Sequence, residues 1–123
     1  LHEAEKWLPE DPQIAQLGGL LYDVTGKKQM ADNEYQRSIC CLDKRLNTKY
    51  DVGDAISKSI MISFLKDTKD ALAFIKKEST RRHYDAKDSA SLKMVINALE
   101  TNYIRRDDIV NHEMTNSLIN FNL

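Results

Sequence analysis

Residues 13–45 constrain the fold of this chain more than any other stretch, because they contain two apolar helical patterns separated by a very short break. In each half, apolar side chains recur every three or four residues, which is the spacing of one helix face. Gly26 lies in the break and is a natural residue for a left-handed helix end. Two helices joined by so few residues must run antiparallel. Their closest approach needs small residues, and the sequence supplies Gly18 or Gly19 on the first helix and Ala31 on the second.

The order of small and aromatic residues in this hairpin resembles a tetratricopeptide repeat (TPR). The family's tryptophan at the start of the first helix is absent. The resemblance implies a stack of helix hairpins that acts as a scaffold for a protein or peptide partner, with no cofactor and no catalysis. The residues that carry the resemblance are Gly19, Tyr22, Gly26, Ala31, Tyr35 and Ser38.

Residues 1–10 resemble the tail of a preceding repeat. Pro9 and Pro12 stop a helix on either side of an acidic pair, and Asp11 followed by Pro12 is a favourable helix start. In the TPR pattern a small residue, here Ala4, precedes a proline of this kind. We therefore expect the chain to be the C-terminal piece of a longer repeat protein. A short cap helix followed by a proline elbow is the alternative.

The apolar pattern returns farther along the chain in a weaker form. Residues 46–50 break it, and we expect a degenerate repeat over 51–83, with its second helix at 68–83. The clear repeat itself spans 11–45. A shift of 40 residues aligns the two repeats, although the turn glycine and both tyrosines are lost. A shift of 42 fits the turn nearly as well but fits worse farther along the chain. At the shift of 40, Ala71 corresponds to Ala31, Ile75 to Tyr35, Ile62 to Tyr22 and Lys66 to Gly26.

Residues 88–121 are expected to add a third helix pair. Asp88 or Ser89 would cap a helix at 89–105, and a helix at 108–120 that is apolar on one side only would close the array. The sequence thus predicts a single all-α domain, an antiparallel helix-hairpin array of about three pairs. In family terms this is a TPR-like α-solenoid with a C-terminal capping helix.

The TPR resemblance implies a concave groove lined by the first helix of each pair, which takes an extended peptide or a helix. Ile60 and Phe64, two of the positions that the resemblance assigns to the groove, could equally belong to the core. The neutral Gln13 and Gln16 provide no basic clamp, so we expect no recognition of a C-terminal carboxylate. The alternative function is a purely structural C-terminal cap of a larger repeat protein, with no ligand of its own. The predicted groove residues are Gln13, Gln16, Leu20, Asp23, Val24, Ile60 and Phe64.

The overall charge does not favour nucleic acid or a membrane surface as a partner. With Lys+Arg 18 and Asp+Glu 19, the net charge is -1. The best basic patches, 81–84 and 105–106, could hold an acidic peptide or RNA, but the aspartates that follow each patch argue for local neutralisation. No apolar run approaches the length of a membrane span. The chain starts with Leu1 and not Met, so we leave its compartment open.

Neither histidine nor cysteine forms a pattern that predicts catalysis or metal binding. His83 and His112 have no known ligand spacing. Cys40 and Cys41 are neighbours on a helix, about 100° apart, and cannot easily bond to each other. We therefore expect no enzyme activity, no metal site and no cofactor.

Overall fold

The computed structural model describes residues 11–101 and 106–107 of the 123-residue chain. No strand occurs in these ranges, so the predicted all-α class is confirmed for them. The predicted tail at 1–10 and the predicted helix at 108–120 lie outside the described residues. The helices are α1 (Pro12–Val24), α2 (Lys28–Thr48), α3 (Val52–Leu65), α4 (Thr68–Arg81) and α5 (Ala86–Glu100).

Each helix packs against the next one along the chain, and α3 also packs against α5. The short turns after α1 and α3 make α1–α2 and α3–α4 two helix hairpins, and α5 follows the second of them. The predicted hairpin over residues 13–45 is therefore present in the structure.

An aspartate side chain starts four of the five described helices. In each case its carboxylate accepts a hydrogen bond from a backbone N–H in the first turn, which satisfies a donor that has no partner inside the helix. The exception is α2, which follows a turn where Gly26 has a φ of 78°, the left-handed conformation expected for this glycine. The capping residues are Asp11, Asp51, Asp67 and Asp85.

The end of α2 differs from the prediction. Residues 46–48 were expected to break the helix, but α2 continues to Thr48. Leu46 packs against the apolar cluster around Ala55, and the Thr48 hydroxyl donates to the Lys44 carbonyl at 2.9 Å. Burial of one more apolar side chain thus extends the helix by a turn.

The bounds of α4 and α5 also differ from the prediction. α4 ends at Arg81 and not at 83, and α5 covers Ala86–Glu100, whereas the prediction placed this helix at 89–105. Residues 102–105 of that prediction lie outside the described residues. The cap of α5 is Asp85, whose carboxylate accepts the backbone N–H of Asp88 at 2.7 Å. The prediction of Asp88 or Ser89 as the cap was wrong because both lie within the first turn that Asp85 closes.

Two apolar clusters form the core, and corresponding residues of the two hairpins occupy them. Ala31 and Ala71 are both fully buried, and so are Tyr35 and Ile75. These are the pairs that the shift of 40 residues brings together. The first cluster contains Ala31, Tyr35, Met61 and Phe64, and the second contains Ala55, Ala71, Ile75, Leu92, Val95 and Leu99.

Gly19 lets α1 and α2 approach closely. A Cβ atom at this position would overlap Cε1 of Tyr35 and lie 2.5 Å from its Cδ1. The Tyr35 ring therefore occupies the space that a side chain on α1 would need. This contact holds the ring in one place, from which its hydroxyl reaches Asp23 of α1 at 2.6 Å.

Candidate functional site

The helix α1 carries apolar side chains on two opposite faces. Its inner face is buried against α2, whereas Leu17 and Leu21 are 54% and 44% exposed. Three half-buried apolar residues share the exposed side at helical spacing. We call Ile14, Leu17, Leu20, Leu21 and Val24 the outer face of α1.

The predicted groove residues on α1 lie on or beside this outer face. Gln13 is exposed and Gln16 is half-buried. Leu20 and Val24 are half-buried members of the outer face. Asp23 differs from the others because its carboxylate already binds groups of this protein.

The two predicted groove residues on α3 contact the apolar clusters of the core. Phe64 is buried, and its ring meets Tyr35 edge-on with ring centroids 5.3 Å apart. Ile60 is half-buried and packs against both apolar clusters. The sequence left open whether Phe64 lines a groove or packs in the core, and its burial places it in the core.

A guanidinium group is held where α1, α2 and α3 meet. Nε and Nη2 of Arg106 donate to the two carboxylate oxygens of Asp23 at 2.8 and 2.6 Å. Nη1 donates to Asp32 at 2.6 Å and to the backbone carbonyl of Phe64 at 3.2 Å. We call these acceptors, together with Tyr35, the Arg106 notch.

Tyr35 completes the notch from the core side. Its hydroxyl donates to Oδ2 of Asp23 at 2.6 Å, so this oxygen accepts from both the phenol and Arg106. The ring lies beneath the guanidinium, whose carbon is 4.8 Å from the ring centroid, a cation–π distance. The same ring therefore packs against Gly19 and supports the ion pair.

These contacts shift the pKa values of the groups that make them. Burial alone would raise the pKa of Asp23, but hydrogen bonds from Arg106 and Tyr35, with the Arg106 charge, lower it below the ordinary value of 3.8. Burial and the hydrogen bond to Asp23 raise the pKa of Tyr35. Hydrogen bonding to Asp23 raises the pKa of Arg106. At neutral pH, Asp23 is thus a carboxylate held between a neutral phenol and a guanidinium.

The lowered pKa of Asp23 predicts a specific loss of stability in acid. A carboxyl group whose pKa is lower in the folded protein stabilises the fold above its unfolded pKa of about 3.9, and this contribution disappears as pH falls through the lower folded value. We expect Asp23→Asn to flatten the decrease of Tm with falling pH below about pH 4, measured by circular dichroism. Asp107→Asn, which removes an exposed carboxylate beside Arg106, should keep the wild-type slope. Equal slopes for all three proteins would contradict the assignment.

Sequence reasoning missed the ion pair of the notch. Nothing in the sequence distinguishes Asp32 from a solvated side chain, but it is only 35% exposed and binds Arg106. Arg106 was expected to be neutralised by the aspartates next to it in sequence. It is neutralised instead by Asp23 and Asp32, 83 and 74 residues away. The pair of arginines at 105–106 was the only feature of the sequence that pointed to this ion pair.

The second basic patch forms a polar cleft at the opposite ends of the helices. Arg81 pairs with Glu78 at 2.8 Å, and Arg82 stacks 3.8 Å from the ring centroid of Tyr50. The hydroxyls of Tyr50 and Tyr84 are 2.7 Å apart, and that of Tyr84 also donates to the Glu78 carbonyl at 2.8 Å. Open cavities of about 480 and 500 Å³ adjoin Arg82. The partner of Arg81 is thus Glu78, which precedes the patch, whereas the sequence pointed to the aspartates that follow it.

The described residues offer no arrangement for a metal ion. Within 11–101 and 106–107, no three His, Cys, Asp or Glu side chains are grouped in a way that could hold one. His83 is exposed, and the other histidines lie outside these ranges. Cys40 is exposed and Cys41 is buried, and neither forms a disulfide in this part of the chain.

No described helix combines the length and the apolar character needed to cross a membrane. Comparison of the chain with models of protein families, with curated proteins and with solved structures finds no match.

Proposed function

We propose that this chain is a non-catalytic, TPR-like helix-hairpin array that binds a protein or peptide partner along α1. The outer face of α1 is the observation that carries the proposal. A helix with apolar side chains on opposite faces needs cover on both, and α2 covers only one. Exposed leucines one helical turn apart, here Leu17 and Leu21, are typical of surfaces that bind other proteins.

The shape of the outer face favours a partner helix or an extended peptide. Apolar side chains at i, i+3 and i+7 form a ridge on which the apolar face of another helix packs. Full burial of one leucine contributes about 1.5–3 kcal/mol, so covering Leu17 and Leu21 would supply a useful part of a binding energy. Gln13 and Gln16 add hydrogen-bonding groups without charge.

A peptide library displayed on phage and selected on the immobilised protein tests this function. We expect selected peptides to bind at least about ten-fold more weakly, or about 1.4 kcal/mol, to the double variant Leu17→Glu/Leu21→Glu. Met94→Glu is the matched control, because Met94 of α5 is 73% exposed but lies on another helix. The proposal fails if no peptide is selected or if both variants bind the selected peptides like the wild type.

A purely structural role is the second candidate, because the same face could be covered by residues of the repeat protein itself. In that case the apolar side chains stabilise the array and do not recruit a partner. Leu17→Glu/Leu21→Glu would then lower the Tm of the chain by several degrees, since charges would be placed in an intramolecular contact. If the outer face instead binds a partner, the double variant should have a Tm close to that of the wild type.

A further inference from the structure

We infer that the Arg106 notch is an arginine-recognition site, and that an arginine of a bound peptide takes the place of Arg106 in it. This inference rests on the proposed function and names one residue of the partner. The acceptors of the notch come from three helices, and all of them face one guanidinium. Such convergence is what a receptor for this group requires.

The notch matches the shape of a guanidinium and not only its charge. Four of the five N–H donors of Arg106 find an acceptor: both oxygens of Asp23, one of Asp32 and the carbonyl of Phe64. The planar cation also stacks over Tyr35. A lysine ammonium has three donors radiating from one atom and cannot satisfy this fork. The site should therefore distinguish arginine from lysine.

The notch adjoins the outer face of α1, so one peptide could reach both. Leu20 lies three residues before Asp23 and Val24 follows it, which places apolar groups of the outer face beside the carboxylate. An arginine in a partner must compete with the tethered Arg106, whose effective concentration is high. Added contacts with the outer face would compensate for that tether. The partner we infer carries apolar side chains with an arginine about one helical turn away.

The variant Arg106→Met tests the notch, because it removes the guanidinium and keeps an apolar stem. We expect this variant to bind Nα-acetyl-arginine amide at least ten-fold more tightly than Nα-acetyl-lysine amide, measured by titration calorimetry or NMR. Adding Asp23→Asn should abolish this preference. The inference is overturned if folded Arg106→Met protein, checked by circular dichroism, binds neither amide or binds both equally.

A measurement on the wild type covers the case in which Arg106→Met does not fold. The NMR signal of the Arg106 Nε–H should shift on titration with an apolar helical peptide that carries an arginine one turn from its leucines, and not with the same peptide in which lysine replaces the arginine. An unchanged signal at saturating concentration would overturn the inference.

The notch and the outer face can be tested apart. Adding Leu17→Glu/Leu21→Glu to Arg106→Met should leave the preference for the arginine amide intact, because neither leucine belongs to the notch. A failed peptide selection with an intact arginine preference would refute only the proposed function. Selected peptides that bind equally well whether or not they contain arginine would refute only the inference about the notch.

Discussion

Replacement of Tyr35 by alanine is expected to lower the free energy of unfolding by about 3–5 kcal/mol, the range for a fully buried aromatic residue. Tyr35 has no exposed surface, packs against Phe64 and occupies the space above Gly19. The substitution would leave a cavity between the two hairpins and remove the support beneath Arg106. Urea denaturation followed by circular dichroism measures the loss.

Tyr35→Phe separates the ring from its hydroxyl. Phenylalanine keeps the packing but removes the hydrogen bond to Asp23, and a hydrogen bond to a charged group contributes about 1.5–3 kcal/mol. We therefore expect a smaller loss than for alanine, together with a higher pKa of Asp23, because one of the donors that lower it is gone. Equal losses for the two variants would show that the ring packing contributes little.

The local features of the fold could be predicted from the sequence. Asp11 followed by Pro12 marks the start of α1, and Gly26 marks the turn before α2. The buried pair of Ala31 and Ala71 was found from a shift of 40 residues. Each of these features depends on contacts within a hairpin or on a regular spacing, which leave a readable pattern in the sequence.

The end of α2 could not be read in the same way. Leu46 follows Leu42 by four residues, so it continues the apolar face of α2, and it packs against the second apolar cluster. Asn47, Thr48 and Lys49 after it are all polar, and a polar run of this kind resembles a loop. The start of α5 was misplaced for a different reason, because Asp85, Asp88 and Ser89 are all possible caps.

The Arg106 notch left no signal in the sequence that identifies its acceptors. Asp23 and Asp32 are polar residues on amphipathic helices, where acidic side chains are usually solvated. An ion pair between residues 83 positions apart leaves no periodic pattern in the sequence, because it depends on where the helices end and where the chain turns. The sequence could therefore place Asp23 beside the outer face of α1 but could not show that Arg106 binds it.

The contact between Gly19 and Tyr35 predicts that a side chain added at position 19 destabilises the first hairpin. Gly19→Ser is expected to lower the free energy of unfolding by about 1–3 kcal/mol, because the new side chain meets the Tyr35 ring. Helix propensity alone predicts the opposite sign, since serine is more favourable in a helix than glycine. Gln13→Ser, on the exposed side of the same helix, should change stability little.

The second hairpin shows which substitution should compensate. At a shift of 40 residues, the buried Ser59 corresponds to Gly19 and the buried Ile75 corresponds to Tyr35. The smaller isoleucine leaves room for a serine side chain on the facing helix, so Gly19→Ser should cost less once Tyr35→Ile is present. Urea denaturation of the two single variants and the double variant should show a favourable coupling of about 0.5–3 kcal/mol, as for residues in contact. Additive losses would mean that the ring is not what the new side chain meets, and the close approach of α1 and α2 would need another explanation.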